Sequence, residues 1–387
     1  MKKKIIILGS TGFIGKCLLD IIYKDINSFE IILLSANKNF KDLIKQAKKF
    51  NVKNILIKDK NTYEYVVKKY KNINIKIFNN YEVFNKIIKK KVDYTMNSIV
   101  GIDGLYPTLK IIKYSKTIAI ANKESIICGW NLIKSKLDKY KSNFIPVDSE
   151  HFSIWSSIQS KKTNIEKVFL TASGGPFFKK KISTLKKIRI SDALNHPTWQ
   201  MGKKISIDSS TLINKIFEVI EAKKIFSLSL NKIDILIHPL SYIHAIIKFK
   251  NGLIKIIAHD TSMTIPLFNS LYWGSKHELK TNLIDINKLN SLNFSYVKKN
   301  NFPMINLIKT IPNHDSLFET VIVSANDYLV NLYLNKKIQY TDISKNLIKI
   351  SKMKKFIKFK KIYPRKLIDI LNTKEFTIKE IKNLFKQ

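Results

Sequence analysis

The sequence predicts an α/β protein with three parts: an N-terminal Rossmann-like doubly wound domain over residues 1–147, a central α/β domain over 148–284, and a small helical C-terminal domain over 285–387. Three observations predict it. The apolar run Ile5–Leu8 leads straight into the turn Gly9-Ser-Thr-Gly12-Phe-Ile-Gly15, then into a helical pattern at Leu18, Leu19, Ile21 and Ile22. That strand–turn–helix order opens a dinucleotide-binding fold. Short apolar runs then alternate with helical stretches to about residue 145, as in a mostly parallel sheet. Beyond 146 the pattern breaks into polar motifs, and after about 285 it becomes helical and lysine-rich.

Each element follows from a local pattern. Residues 5–8, short, apolar and of β-branched character, read as a buried strand; Glu30–Leu34 reads as the second, and Val52–Ile57, Ile73–Ile77, Tyr94–Ile99 and Thr117–Ala121 are further short strands expected between helical stretches. In the central domain Val168–Leu170, Ile205–Ile207 and Ile233–Ile237 read as strands, and Ser210–Phe226 as a helix. Tyr242–Phe249 and Leu253–Ala258 read as a hairpin around Asn251-Gly252, in a sheet that could also support a dimer.

Composition narrows the class. The chain has 387 residues, 45% of them hydrophobic, enough for two or three domains with real cores. No apolar run approaches the ~20 residues that span a bilayer. The opening MKKKIIILGS carries only Ile5–Leu8 as an apolar run, where a secretory signal needs roughly 7–15 residues. Cys17 and Cys128 form no CxxC, so no disulfide framework or zinc site is indicated, which fits a reducing cytoplasm. A net charge of +40 raises nucleic-acid binding as a rival reading. However, Arg189 and Arg365 are the only arginines, and the lysines are spread along the whole chain. Solvated surface and the bias of an A/T-rich genome account for that, so no nucleic acid and no membrane is expected as partner. The charge should draw anionic ligands in a salt-sensitive way.

The glycine turn, taken alone, is also compatible with an ordinary strand–turn–helix corner; its flanks favour nucleotide binding. A unit selective for NAD usually carries an acid about 20 residues beyond the glycines, on the ribose 2′-hydroxyl. Here the second strand ends in Ser35-Ala-Asn37-Lys38-Asn39. A carboxylate would repel a 2′-phosphate and Lys38 would pair with it, so NADPH is favoured over NADH. Ala121-Asn122-Lys123-Glu124-Ser125 falls just beyond a strand end, where ligands bind in such sheets; a plain helix cap is the equal alternative.

Two segments carry the chemistry. In Pro146-Val-Asp148-Ser-Glu150-His151 the acids stand at i and i+2, on one face if the backbone is extended. In His196–Glu218 the residues Asn214, Lys215 and Glu218 share one side of a helix. Carboxylates without cysteines suit a hard cation such as Mg²⁺ or Mn²⁺. Lysine, asparagine and serine near a helix start suit a phosphate, as do the exposed backbone N–H groups of Thr171-Ala-Ser173-Gly174-Gly175. Taken singly, Asp148 could cap a helix starting near Ser149, Glu218 and Lys215 could be surface charges, His196 a loop histidine and Trp199 a packing residue.

Together these segments resemble 1-deoxy-D-xylulose-5-phosphate reductoisomerase. The resemblance rests on GSTGFIG at 9–15, ANKES at 121–125, PVDSEH at 146–151, LTASGGPF at 170–177, HPTWQMGKKISIDSS at 196–210, NKIFEVIEA at 214–222 and HPLSYIH at 238–244, in the family's order over about 250 residues. It implies NADPH-dependent rearrangement and reduction of 1-deoxy-D-xylulose 5-phosphate to 2-C-methyl-D-erythritol 4-phosphate by a cytoplasmic homodimer. It implies Asp148, Glu150 and Glu218 as metal ligands, and a phosphate pocket of Ser173, Ser209, Asn214 and Lys215 with His196 beside it. Ser149 and Lys123 would meet the substrate's hydroxyl and carbonyl end. Thr11, Gly12, Phe13, Ile14, Asn37, Lys38, Asn39, Asn122, Glu124 and Gly202 would line the NADPH site, and Trp199 and Met201 would belong to a closing flap. Glu221, His151, His238 and His244 are expected to be supporting groups. The chain departs from the family pattern at Phe13 (often serine), Asn37 (glycine, with left-handed geometry expected to be tolerated), Leu240 (glutamine) and 259–266, where the family's arginine is missing. Rival readings are another NADP-dependent reductase of a phosphorylated substrate, a basic nucleic-acid-binding protein on a degenerate dinucleotide fold, and a decayed enzyme.

Overall fold

The computed structural model describes residues 2–71, 73–159, 164–186, 188–199 and 201–385. The chain divides into two compact units. Met1–Ser125, Ile133–Phe152 and Met263–Lys280 form one; Ile126–Leu132, Ser153–Ser262 and Thr281–Gln387 form the other.

In the first unit β1 (Lys3–Leu8), β2 (Phe29–Ala36), β3 (Asn54–Ile57), β4 (Lys76–Phe78), β5 (Val92–Asn97), β6 (Ser115–Ile120) and β7 (Asn143–Pro146) make a sheet in the order β4-β3-β2-β1-β5-β6-β7, all pairs parallel. Ile5 to Leu8 are fully buried; a parallel strand covered on both faces reads as a continuous apolar run. Between the strands run α1 (Phe13–Lys24), α2 (Phe40–Lys49), α3 (Lys60–Lys69), α4 (Val83–Ile87), α5 (Leu105–Ile111) and α6 (Lys123–Tyr140), and α7 (Ser149–Ser157) follows β7. The chain reverses direction across the sheet between β1 and β5. The glycine turn leaves the carboxyl end of β1 at that switch point, where such sheets bind ligands. β7 had no expected counterpart, because the Pro146 motif masked a four-residue strand.

In the second unit β8 (Ile165–Ala172) precedes α8 (Ile190–Leu194), α9 (Lys203–Ser210) and α10 (Ile213–Ile225). Next come β9 (Ile233–Ile237), β10 (Ile243–Phe249) and β11 (Ile254–Ala258), then α11 (Thr264–Leu271) in the first unit, α12 (Ile286–Asn290) and β12 (Ser295–Tyr296). The sheet order is β11-β10-β8-β9-β12; β8–β9 is parallel and the other pairs are antiparallel. Val168, Leu170, Val219, Ala222, Ile235, Ile247 and Phe249 belong to its buried core. The chain ends in α13 (Phe318–Leu334), α14 (Tyr340–Ser351), α15 (Lys354–Ile357) and α16 (Leu367–Leu384). No helix among the described residues is long and apolar enough to cross a membrane.

Three expectations are corrected. Ile205–Ile207 is helical, inside α9. Pairs at helical spacing override its β-branched composition: Lys204 Nζ donates to Asp208 at 2.9 Å and Ser206 Oγ to the Gly202 carbonyl at 3.2 Å. Asp148 and Glu150 do not share the face of an extended strand, because α7 begins at Ser149 and the Asp148 carbonyl accepts the Phe152 N–H at 2.7 Å. A carboxylate in a first helical turn is favoured by the N-terminal dipole. The helix expected from Ser210 starts three residues later, because Leu212 takes φ 67° and separates α9 from α10.

Candidate active site

The functional side chains fall into two groups, one in each unit. In the first, Gly12 precedes α1 in extended conformation with no side-chain cap. The leading N–H groups of α1, at Phe13 and Ile14 behind Thr11, lack intrahelical partners and form an anion cradle. The cradle depends on missing side chains. Gly9 sits at φ +84°, and a Cβ on Gly15 would come within 2.5 Å of Ser10 Cα. Phe13 is 43% exposed, and its backbone N–H belongs to the cradle. At the end of β2, Asn39 caps α2 by accepting the Asp42 N–H at 3.3 Å, and Lys38 Nζ lies 3.8 Å from Asp59. Asn37 is not among the positive-φ residues, so its tolerance of left-handed geometry is not used.

The Asn122 side chain is engaged at both ends. Its Oδ1 caps α6 by accepting the Ser125 N–H at 2.7 Å, and its Nδ2 donates to the carbonyls of Ile99 and Gly101. It therefore fixes the start of α6. Glu124 is buried. Lys123, the next residue of α6, pairs with Asp148 at 2.7 Å, and both are largely buried. Ser149 Oγ donates to Glu150 at 2.5 Å, and His151 Nδ1 lies 3.8 Å from Asp148. This group is a lysine and two carboxylates held at the starts of two helices that follow β6 and β7.

The second group centres on His196. Its Nε2 is 3.0 Å from Ser173 Oγ and 3.1 Å from Ser209 Oγ. Its Nδ1 accepts the backbone N–H groups of Thr198 and Trp199 at 3.3 and 3.1 Å. An atom that accepts two N–H bonds carries no proton, so the neutral ring bears its hydrogen on Nε2, pointing at the two serines. Burial, helped by the Lys215 ammonium, pushes this imidazole down to about 4, so it is neutral at pH 7. The 173–175 loop closes on the end of α9. Gly175 N–H donates to Ser173 Oγ at 3.0 Å, φ there is +67°, and a Cβ would stand 3.1 Å from Ser210 Cα. On α10, Asn214 Nδ2 donates to Glu218 at 2.5 Å and Lys215 Nζ pairs with the same carboxylate. Both Lys215 and Glu218 are buried. Two hydroxyls, an imidazole N–H and a lysine form a pocket of donors suited to a phosphate dianion.

Gly202 caps α9, and a Cβ there would meet nothing within 4 Å. Trp199 is half-buried and stands edge-on to His244, ring centroids 5.9 Å apart. His244 in turn stacks on His259 at 3.7 Å. The loosely matching 259–266 segment thus reaches Trp199 through His259. Gln200, inside the same motif, lies outside the described residues. Sequence reasoning also passed over Asp208. It is buried, bonded to Lys204 and to Asn326 Nδ2 at 2.8 Å, and it anchors the helix that carries Ser209. The i, i+4 spacing of Lys204 and Asp208 was the available signal.

Known proteins resemble this chain along its whole length. Three family models match: 1-deoxy-D-xylulose 5-phosphate reductoisomerase over residues 5–129, and two models of that enzyme's C-terminal domain over 144–226 and 260–379. The 1-deoxy-D-xylulose 5-phosphate reductoisomerase of Pelagibacter ubique is 54% identical over 385 residues, 99% of each chain. That of Clostridium acetobutylicum is 37% identical over 347 residues, 88% of this chain and 90% of its own. Among solved structures, a DOX-P reductoisomerase in complex with NADPH, fosmidomycin and magnesium superimposes with a TM-score of 0.91, 28% identity and coverage of 99% and 98%. The Zymomonas mobilis enzyme in complex with NADPH does so with a TM-score of 0.86, 29% identity and full coverage of both chains.

Proposed function

The chain belongs to the 1-deoxy-D-xylulose 5-phosphate reductoisomerase family, and from that premise we propose that it converts 1-deoxy-D-xylulose 5-phosphate, NADPH and a proton into 2-C-methyl-D-erythritol 4-phosphate and NADP⁺. The reaction belongs to the non-mevalonate route to isoprenoid precursors. The observation that carries the reading is the His196 pocket, a neutral N–H donor beside two serines and a buried lysine, in a chain 54% identical to a named reductoisomerase. Neither the nucleic-acid rival nor the unrelated reductase is favoured by a match of that extent.

Ser173, Ser209, Asn214, Lys215 and His196 hold the phosphate. Binding there is remote from the reacting carbons and fixes their register. Asp148, Glu150 and Glu218 hold a divalent cation; three carboxylates and no thiolate are a donor set for Mg²⁺ or Mn²⁺. When bound, that cation polarises the substrate carbonyl and lowers the cost of developing oxyanion charge. Lys123 keeps Asp148 oriented and, with Ser149, presents donors to the substrate's oxygens. The cradle of Thr11, Gly12, Phe13 and Ile14, with Asn37, Lys38 and Asn39, holds the nucleotide, while Asn122, Glu124 and Gly202 line its path. NADPH supplies the hydride. Trp199 and Met201 close over the site and exclude water from the intermediate aldehyde. On this reading residues 1–147 serve NADPH, 148–284 the metal and substrate, and 285–387 form a helical support. The protein works in the cytoplasm as a homodimer.

The test is NADPH oxidation with 1-deoxy-D-xylulose 5-phosphate, with Mg²⁺ or Mn²⁺ and again with excess chelator. Metal-dependent oxidation yielding the branched tetrol phosphate is expected. A folded protein that binds NADPH and turns nothing over would sink the proposal.

A further inference from the structure

Two turns at the edge of the cofactor site are stitched together. Lys58 N–H donates to the Ala36 carbonyl at 3.0 Å, and Asp59 N–H to the Asn37 carbonyl at 3.2 Å. The turn after β3 therefore lies against the Asn37–Asn39 turn that follows β2. Asp59 divides its carboxylate between two tasks. Its Oδ1 caps α3, accepting Thr62 N–H at 2.9 Å and Thr62 Oγ1 at 2.7 Å. Its Oδ2 faces Lys38 Nζ at 3.8 Å. The Thr62 hydrogen bonds, with the Lys38 charge behind them, hold this carboxyl below the usual range, so it is ionised at neutral pH. Lys16, the neighbouring cation on α1, is committed to Asp42 at 2.7 Å. Lys38 is 73% exposed along its side chain and is the cation of the turn itself.

We propose that Asp59 is a specificity-determining residue: it competes with the cofactor's 2′-phosphate for Lys38 and so tempers the preference for NADPH over NADH. The inference rests on the NADPH reading above. A 2′-phosphate paired with Lys38 has to share it with a fixed carboxylate of like charge. A 2′-hydroxyl meets no such repulsion, and as a donor it can bond a carboxylate. Asp59 thus acts against one cofactor and not the other. The fold retains it because Oδ1 starts α3, a task that an asparagine oxygen performs equally well.

That equivalence makes the test clean. Binding of adenosine 2′,5′-bisphosphate and of 5′-AMP is measured by calorimetry on the full chain, at low and high salt. The variants are Asp59→Asn, Lys38→Ala and the double variant. Asp59→Asn should tighten the bisphosphate about three- to ten-fold at low salt, leave 5′-AMP unchanged, and lose most of that gain at high salt. The gain should shrink when Lys38 is absent. Thermal melting should stay at the wild-type value. Unchanged bisphosphate binding in Asp59→Asn, while Lys38→Ala still weakens it, overturns the role of Asp59. No effect of Lys38→Ala on the bisphosphate overturns the Lys38 assignment beneath it.

Discussion

At the scale of single residues, the informative group is His196. Two backbone N–H groups occupy its Nδ1, which fixes the tautomer and aims Nε2–H at the phosphate pocket. Its folded pKa, about 4, lies below the ordinary 6.5. Between those values the unfolded chain binds a proton that the native ring refuses. Its contribution to stability is therefore complete above about pH 6.5 and is lost as pH falls toward about 4. Denaturant unfolding from pH 7 to 4 should show that loss, and His196→Gln should flatten it. Glu218 makes the opposite kind of prediction. Glu218→Gln removes charge without volume, so kcat should fall by at least about 100-fold while NADPH binding, followed by nicotinamide fluorescence, stays intact. Equal loss of NADPH affinity would refute its separation from the cofactor site. The candidate residues were legible because motifs group residue types whose chemistry is complementary. The direction of the His196 proton was not, since it depends on backbone atoms of residues 198 and 199.

At the scale of elements, the loop 173–175 and helix α9 decide whether the pocket exists. Gly175→Ala puts a Cβ where φ is +67° and Ser210 Cα would be 3.1 Å away. That costs about 1–2 kcal/mol and displaces either the loop or α9. The KM for the phosphorylated substrate should rise about ten-fold with NADPH binding unchanged. An effect on kcat alone would mean that the loop does not serve the phosphate. Asn326 on α13 steadies the same helix from behind through buried Asp208. Asn326→Leu should cost about 1–3 kcal/mol, read as a lower melting temperature, because the Asp208 carboxylate loses a buried donor. Periodicity found β8, β9, the β10–β11 hairpin and α10 within a few residues. It misread α9, because Ile205-Ser-Ile207 is β-branched and too short to display a period. Its helix is held by Lys204–Asp208 and by contacts with α13 that no local window contains.

At the scale of the whole molecule, the charge and the sheet edges matter. A net charge of +40 draws phosphorylated ligands, so KM for substrate should rise with ionic strength more steeply than for a neutral protein. The proposed homodimer has a candidate surface in β11, an edge strand that exposes Ile254 and Ile256, with Leu253 beside them. Unpaired apolar edges invite a partner strand or sheet. Ile254→Lys with Ile256→Lys should halve the mass in light scattering while leaving the fold intact by circular dichroism. An unchanged dimer would move the interface elsewhere.

The sequence by itself determined the parallel sheet, the glycine cradle, the hard-cation donor types and the family. These are local patterns: a run buried on two faces, a turn that excludes Cβ atoms, and motifs whose members lie within a few residues of one another. Tertiary structure alone decided that Asp148 and Glu150 stand on the start of a helix, that α9 is helical, that Asn122 spends its side chain on holding α6, and that Asp59 confronts Lys38. Each of these depends on groups brought together from separate parts of the chain, or on a backbone carbonyl claimed by a hydrogen bond. Apart from the i, i+4 pair of Lys204 and Asp208, such pairings leave no period or spacing in the sequence to read.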